Sequence, residues 1–507
     1  MKKVEAKITT RQPVVAVMGH IDHGKSTLLD TIRRTNTTDK EAGGITQHIA
    51  AYETVHNNQA ITFLDTPGHA AFKGIRSRGA NIADIAILIV SAEEGVKPQT
   101  LEALQHILNA KIPYVVGINK IDSPKANIER TKQSLAENEI YIEGYGGDIP
   151  WAAISAKTGE GIPALLDLIL LVAEMNTFTY SPDTLATGAI IESNLDPKKG
   201  ISATLILKNG VVKKGQSIVS GSSYAPVRIM DNYAGKPLPE AIAGMPIRLV
   251  GFSSLPHIGD LFTTYETKRE AEEVVAETLR KQSAEKTANA KLNSGSDIEN
   301  TPDENHVSVP VVIKADVAGT LEAIVNEIAR LKQERVELKV ISAGIGDVTE
   351  GDVKIMIGLE RAQILTFGVK ITPAAKSLAE RSLIPIQSFS IIYKLIEWIE
   401  EFMKSMKPKV MIEKVTGSAK ILKIFSINKD KQVVGGRVLE GEIIVGANIR
   451  IVRREAKIGD GKIRELQQQK MKASEAKKGT EFGTLIEAKF EMAPGDVIES
   501  ITMVEEA

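Results

Sequence analysis

The segment Gly19-His20-Ile21-Asp22-His23-Gly24-Lys25-Ser26 constrains this chain more than any other. It follows an apolar run at residues 14–18 and opens a helix-like segment at 26–33. Its glycines let backbone N–H groups wrap a phosphate, and the start of the next helix adds positive potential. Lys25 is placed to reach β- and γ-phosphates, and the Ser26 hydroxyl to bind Mg²⁺, with Thr27 following it. Alone, the pattern implies a nucleoside triphosphate and a strand–loop–helix unit, and nothing finer.

The surrounding pattern fits that unit. Runs at 14–18, 61–64, 85–90 and 114–118 are apolar and rich in β-branched residues, as buried parallel strands are. Helical patterns separate them, for example at 100–109 and 163–175. Residues 13–178 are therefore expected to form a doubly wound α/β domain behind a tail at 1–12. The whole chain of 507 residues is too long for one core. Short strands and Gly/Pro turns at 179–267, for example 203–207, 217–219 and 227–230, imply a first β-barrel. A polar helix at 268–292 runs into a Ser/Asn/Asp/Glu-rich stretch to 306, read as a flexible linker. Residues 307–390 read as an α/β/α sandwich, with strands at 309–314, 338–341 and 363–368 and a helix at 321–331. A long connecting helix follows at 391–408, ended by Pro408. Its apolar stripe (Ile391, Ile392, Leu395, Ile396, Ile399, Phe402, Met403) suits either packing on its own domain or a strut to the next. Residues 409–507 return to strands as a C-terminal β-barrel, and 441–449 parallel 210–218. Both barrels also reach Gly-Asp before an apolar pair, at 259–262 and 495–498, so either one barrel type occurs twice or the short match is chance.

Three further motifs fall at strand ends. In Asp65-Thr66-Pro67-Gly68 the carboxylate can hold Mg²⁺ through water, and the Gly68 N–H can sense a γ-phosphate. In Asn119-Lys120-Ile121-Asp122, Asp122 can accept both the ring N–H and the exocyclic amine of guanine. Adenine would leave that carboxylate unmatched, a discrimination of roughly four orders of magnitude. Ser155-Ala156-Lys157 closes the other side of the base. His69 follows Gly68, where an attacking water must be positioned; the bland alternative is a solvated turn histidine. His20 and His23 would need further ligands to hold zinc, which the sequence does not supply, and Asp22 is a candidate to help bind a cation beside the phosphates. In their order and spacing these motifs resemble the GTPase superfamily.

The resemblance narrows at Glu41-Ala42-Gly43-Gly44-Ile45-Thr46-Gln47-His48-Ile49, at Asp65-Thr66-Pro67-Gly68-His69-Ala70-Ala71-Phe72, at residues 313–324 and at Tyr393-Lys394-Leu395-Ile396. With these, nearly the whole chain resembles the family of bacterial translation initiation factor two. The resemblance implies that GTP and GDP bind with Mg²⁺ held by Ser26, Asp65 and Thr46, and that His69 is catalytic. It implies the small and large ribosomal subunits, initiator tRNA and other initiation factors as partners, with the last domain capturing formyl-methionyl initiator tRNA. The factor is expected to act as a monomer. The 309–406 unit argues against an elongation-type GTPase, which would place a second barrel there. Intact Lys25, Ser26, Asp65 and His69 argue against a scaffold without activity.

The sequence departs from the family in two places. It begins almost directly at the nucleotide domain, where many members carry a long extension, so that extension's functions are not expected here. In the last domain Gly436 and Phe482 stand where the family has cysteines, and Gln467-Gln468-Gln469 stands where a basic-aromatic cluster is expected, although Glu481 is kept. These places shape the formyl-methionine pocket, which leaves open a ribosome-associated GTPase without formyl selectivity.

Composition sets the remaining bounds. There is no cysteine, which excludes disulfides and cysteine-held zinc. The net charge of −1 leaves nucleic-acid contact to local patches. Residues 409–507 carry 18 Lys and Arg against 15 Asp and Glu, or +3. Arg450, Arg453, Arg454, Lys470, Lys472, Lys477 and Lys478 could meet tRNA phosphates or form a solvated face. Lys2 and Lys3 precede no apolar stretch, and no run approaches the ~20 apolar residues of a membrane span, so a cytoplasmic protein without membrane contact is expected.

Overall fold

In the computed structural model the run at 14–18 is the central strand of a six-stranded sheet. The elements are β1 (Val14–Gly19), α1 (Lys25–Arg33), β2 (Ala50–His56), β3 (Gln59–Asp65), α2 (Lys73–Ile82), β4 (Ile85–Ser91), α3 (Pro98–Ala110), β5 (Tyr114–Asn119), α4 (Ile128–Glu137), β6 (Trp151–Ala153) and α5 (Ile162–Asn176). The strand order is β2-β3-β1-β4-β5-β6. All neighbours are parallel except β2, which runs antiparallel to β3. Alternate residues feed two cores. Val15, Val17, Ile87 and Ile89 meet Leu28, Leu165 and Ile169, while Val14, Ala16, Met18 and Leu88 meet Ile75, Ala103 and Ile107. The chain leaves β1 toward β3 and later crosses to β4, so the C-terminal end of β1 is a switch point where ligands bind in such sheets. The structure describes residues 8–33, 47–196, 199–293, 307–331, 336–407, 411–454, 456–469 and 471–505. Thr46, the start of the tail, the 294–306 stretch, Pro408 and Lys470 lie outside them.

The edge strand β2 has no counterpart in the sequence reading. Its exposed, mixed side chains give little apolar signal, but Asn57 and Asn58, both left-handed (φ 49° and 60°), form the two-residue turn that pairs it with β3.

The two compact units of the chain are residues 1–406 and 407–507. Within the first, seven antiparallel strands from Thr187 to Tyr265 surround a core of Ile190, Leu205, Ile218, Leu249 and Phe262. The strand expected at 227–230 is interrupted. Arg228 N–H donates to Pro226 O at 2.8 Å, a three-residue turn that separates Ser223–Pro226 from Ile229–Asn232. The polar helix α6 spans Lys268–Asn293.

Four parallel strands follow in the order Val336–Ile345, Val307–Ala315, Gln363–Phe367, Ile386–Phe389. Helices α7 (Ala318–Arg330), α8 (Glu350–Lys354), α9 (Pro373–Arg381) and α10 (Ile392–Ser405) belong to this part. Ile324, Ile328, Leu395, Ile399 and Met403 share one core with Val311 and Ile313, and Val353, Ala375 and Ala379 pack with Val312 and Ile364 on the other face. Helix α10 thus buries its stripe on its own domain, the first of its two sequence readings. Trp398 stacks on Phe402 at 4.9 Å and meets Phe389 at 5.8 Å.

The second unit is a closed six-stranded antiparallel barrel. Its ring runs Met411–Asn428, Val497–Glu505, Asn448–Arg453, Ala456–Gln468, Glu481–Ala488, Lys431–Ile444 and back to the first. The sequence echo between the barrels has a physical basis. Gly215 N–H bonds Val227 O and Val227 N–H bonds Gln216 O; Gly446 and Ile463 repeat this with Ala447. Gly259, Asp260 and Ile190 exchange a second pair of bonds, repeated by Gly495, Asp496 and Ile421. All four glycines have φ between 87° and 100°, a left-handed backbone that side chains resist.

Candidate nucleotide site and its switch turns

The phosphate loop is shaped by contacts that only glycine allows. A Cβ on Gly19 would lie 2.4 Å from Ile89 O, and one on Gly24 2.3 Å from Asn119 Nδ2; both residues also have positive φ. Asp22 too is left-handed, at φ 61°. The loop wraps the Lys25 ammonium, which is buried and donates to Gly19 O (3.0 Å) and His20 O (2.6 Å). Burial lowers its pKa to about 8, against the nearby Asp65 carboxylate, which raises it. Ser26 and Thr27 lie in the first turn of α1. Val17 faces Asp65 across β1 and β3, so Asp65 leaves the sheet beside the loop. Hydroxyl and carboxylate oxygens there are the donor set a hard cation such as Mg²⁺ takes. Gln99 Oε1 accepts from Ile21 N–H at 3.1 Å, a buttress the sequence does not advertise.

The Asp65–Gly68 turn is equally fixed. Thr66 Oγ1 donates to Val17 O at 2.7 Å, and a Cβ on Gly68 would lie 2.7 Å from Lys25 Nζ, so this backbone lies close over the ammonium. Pro67 O accepts from the Arg76 guanidinium at 3.3 Å, and His69 O accepts from the same nitrogen. Arg76 is only 2% exposed and is held by Glu102 at 2.9 Å. An arginine on the buried stripe of α2, in line with Gly79 and Ala80, was its one sequence signal. His69 Nδ1 accepts from Ala71 N–H at 3.1 Å. Burial, then the Arg76 charge, lowers the His69 pKa, so the ring is neutral near pH 7.

The base-side motifs converge on Asn119. Its Nδ2 donates to His23 O at 2.7 Å and its Oδ1 accepts from Ala156 N–H at 2.9 Å, tying the phosphate loop to Ser155-Ala156-Lys157. Ser155 Oγ donates to Asp122 Oδ1 at 2.7 Å, which fixes the carboxylate's rotation. Lys120 is left-handed (φ 66°) and reaches Glu93 at 3.3 Å.

His23 and His20 lie with ring centroids 4.9 Å apart, and burial with the His20 neighbour lowers His23 to about 4. The structure adds a third donor that the sequence left out: Glu94 joins them, all ligand atoms within 4.8 Å of one another.

Comparison with known proteins agrees along the chain. The model for the elongation factor Tu GTP binding domain matches residues 10–175, that for elongation factor G domain 2 matches 185–265, and that for translation-initiation factor 2 matches 281–400. Translation initiation factor IF-2 of Anoxybacillus flavithermus is 40% identical over 501 residues, covering 99% of this chain and 69% of that protein. The chain belongs to the translation initiation factor IF-2 family. As a member it is a GTPase of translation initiation that binds guanine nucleotide. The Leuconostoc citreum relative is 39% identical over 99% of this chain, which spans 60% of that protein's length. Among solved structures, GDP-bound aIF5B from Aeropyrum pernix is similar at 26% identity and a TM-score of 0.45, over 97% of this chain and 92% of that chain. Among the described residues no helix is long and apolar enough to cross a membrane.

In the last barrel a cavity of about 670 Å³ is lined by Phe425, Gly435, Gly436, Gln467, Glu481 and Phe482, among others. Phe482 is buried, and its ring fills the space beside Gly436, where a Cβ would lie 3.0 Å from the ring and 2.8 Å from Lys420 O. Phe425, 62% exposed, lies over Gly435 in the same way. The basic cluster is smaller than the sequence count implies. Arg453 pairs with Asp496 (2.7 Å), Arg450 with Glu413, and Lys477 with Glu475 (3.1 Å). Glu413 and Asp496 come from segments distant in sequence and Glu475 from the same short strand as Lys477, so these three cations are paired in place.

Proposed function

We propose that this chain is the GTP-driven switch that promotes initiator tRNA binding to the small ribosomal subunit and joining of the large one, with hydrolysis triggered by the ribosome. The observation that carries this reading is the junction at Asn119, which welds the phosphate loop to the base loop while Ser155 aims Asp122. In this reading the N–H groups of Gly19, His20, Asp22, His23 and Gly24 wrap the β-phosphate while Gln99 braces Ile21, and Lys25 exchanges its loop carbonyls for phosphate oxygens. Ser26 and Asp65, with Thr46, hold Mg²⁺, which offsets phosphate charge when bound; Thr27 extends the loop's donors. Asp122 accepts the two guanine donors, Lys120 covers one face of the base, and Ser155, Ala156 and Lys157 close its edge. Gly68, between Thr66-Pro67 and His69, senses the γ-phosphate, and neutral His69 orients the attacking water. Purified protein with GTP, both ribosomal subunits and initiator tRNA should turn over repeatedly. Undetectable turnover with both subunits present would sink the reading.

A second reading is favoured by one observation. Where the family resemblance implies two cysteines, Phe482 and Gly436 leave one ring and one gap, so the cavity offers an aromatic wall beside Glu481. Such a wall grips an apolar side chain through contacts that do not involve a formyl oxygen. On this reading the barrel binds the methionyl end of tRNA without requiring formylation, which protection of the aminoacyl ester against hydrolysis would test.

A further inference from the structure

The turn entering α10 touches both sides of the nucleotide site. Helix α10 starts at Ile392 with Ile391 in an extended conformation and no side-chain cap of its own. Its cap comes instead from Gln47, whose Oε1 accepts from Ile392 N–H at 3.1 Å. The other end of the same amide donates to Ser390 O at 2.9 Å. Gln47 is buried, and it follows the Thr46 of the first switch motif. One residue along, the Tyr393 ring meets His69 edge-on, with centroids 4.1 Å apart and planes at 83°. Burial, then the Asp22 carboxylate, raises the Tyr393 pKa. His69 is meanwhile held at its carbonyl by Arg76 and at Nδ1 by Ala71 N–H. With Nδ1 accepting, the neutral ring carries its proton on Nε2 and can donate but not accept there.

We propose that Tyr393 is a positioning residue for GTP hydrolysis. Its ring parks the His69 imidazole in this donor-only stance, and Gln47 fixes the turn that carries Tyr393. The order of the first switch thereby sets the stance of the histidine through the exit turn of the 307–390 domain. Hydrolysis requires the imidazole to leave Tyr393 and Ala71. An edge-to-face pair of this kind biases the parked population by up to about tenfold. The inference rests on the catalytic reading of His69.

The test is single-turnover GTP hydrolysis by the full chain without ribosomes, beside an NMR titration of the His69 imidazole. Tyr393→Ala should raise the ribosome-free rate by up to about tenfold at unchanged GTP affinity, and move the His69 pKa up toward its ordinary value. Tyr393→Phe, which keeps the ring edge, should rescue both readouts, and Gln47→Ala should give a smaller rise. Adding His69→Ala should abolish the gain. A Tyr393→Ala rate at or below wild type, or a gain that survives His69→Ala, overturns the inference. If His69→Ala alone leaves ribosome-stimulated hydrolysis unchanged, the catalytic reading of His69 is what has failed.

Discussion

The nucleotide site and the cavity of the last barrel are built in opposite ways. At the phosphate loop, main chain makes the site: Gly19 and Gly24 are required by positive φ and approaches of 2.3 to 2.4 Å, and the Lys25 ammonium is held by two carbonyls. In the barrel, side chains make the site, and glycines serve only to let Phe425 and Phe482 lie against the strands. A backbone-built site tolerates almost no change in residue type and is visible as a motif. A side-chain-built site depends on packing of rings and methylenes that can change while the backbone keeps its fold, so its selectivity can drift while the barrel persists.

Four perturbations would break or sharpen that contrast. The largest effect is expected from Asp122→Asn, which should move base preference from guanine toward xanthine by roughly four orders of magnitude, read by competition binding. Retained GTP preference would remove Asp122 from the base site. His69→Ala comes next: near-normal GTP binding, with ribosome-stimulated kcat down about a hundredfold or more. An unchanged stimulated rate would take His69 out of the mechanism. The pH dependence of GTP binding should be smaller and has a definite sign. Free Lys25 loses its proton at about 8, whereas bound phosphate holds it on. Affinity should therefore be full below pH 8 and fall as pH rises through 8, approaching about tenfold per unit. A flat profile from pH 7 to 9.5 would place the charge elsewhere. The smallest change belongs to the barrel. Gly436→Ala pushes a methyl against Phe482 and Lys420 O and should cost about 1–3 kcal/mol of that unit's stability, seen as a lower Tm, with nucleotide binding untouched. An unaltered Tm would mean the cavity floor is softer than its distances imply.

The same contrast explains what was legible in the sequence. Strands β1, β3, β4 and β5 are buried on both faces, so their apolar runs are continuous and their ends carry the motifs. Strand β2, half in solvent at the sheet edge, gives no such run, and only Asn57-Asn58 betrays it. The Val227–Met230 segment reads as one strand because it is short, mostly apolar and rich in β-branched residues, while the turn that interrupts it is made by backbone at Pro226–Arg228. In the site, Lys25, Asp122 and Ser155 were legible because their chemistry is fixed by the ligand. The roles of Gln99 and Glu94 were not, since each acts from a distant segment, and Gln47 and Tyr393 stood in motifs whose approach to each other only folding shows. In the last barrel the pairing of Arg450 with Glu413 and of Arg453 with Asp496 joins segments far apart in sequence, which the charge count alone does not show.

The most direct test of the central claim is multiple-turnover hydrolysis of GTP with small subunits alone and then after large subunits are added. The account predicts slow turnover that rises sharply on addition of the large subunit, is absent with ATP, and transfers to xanthosine triphosphate in Asp122→Asn. Hydrolysis indifferent to the large subunit, or equal with ATP, would contradict it.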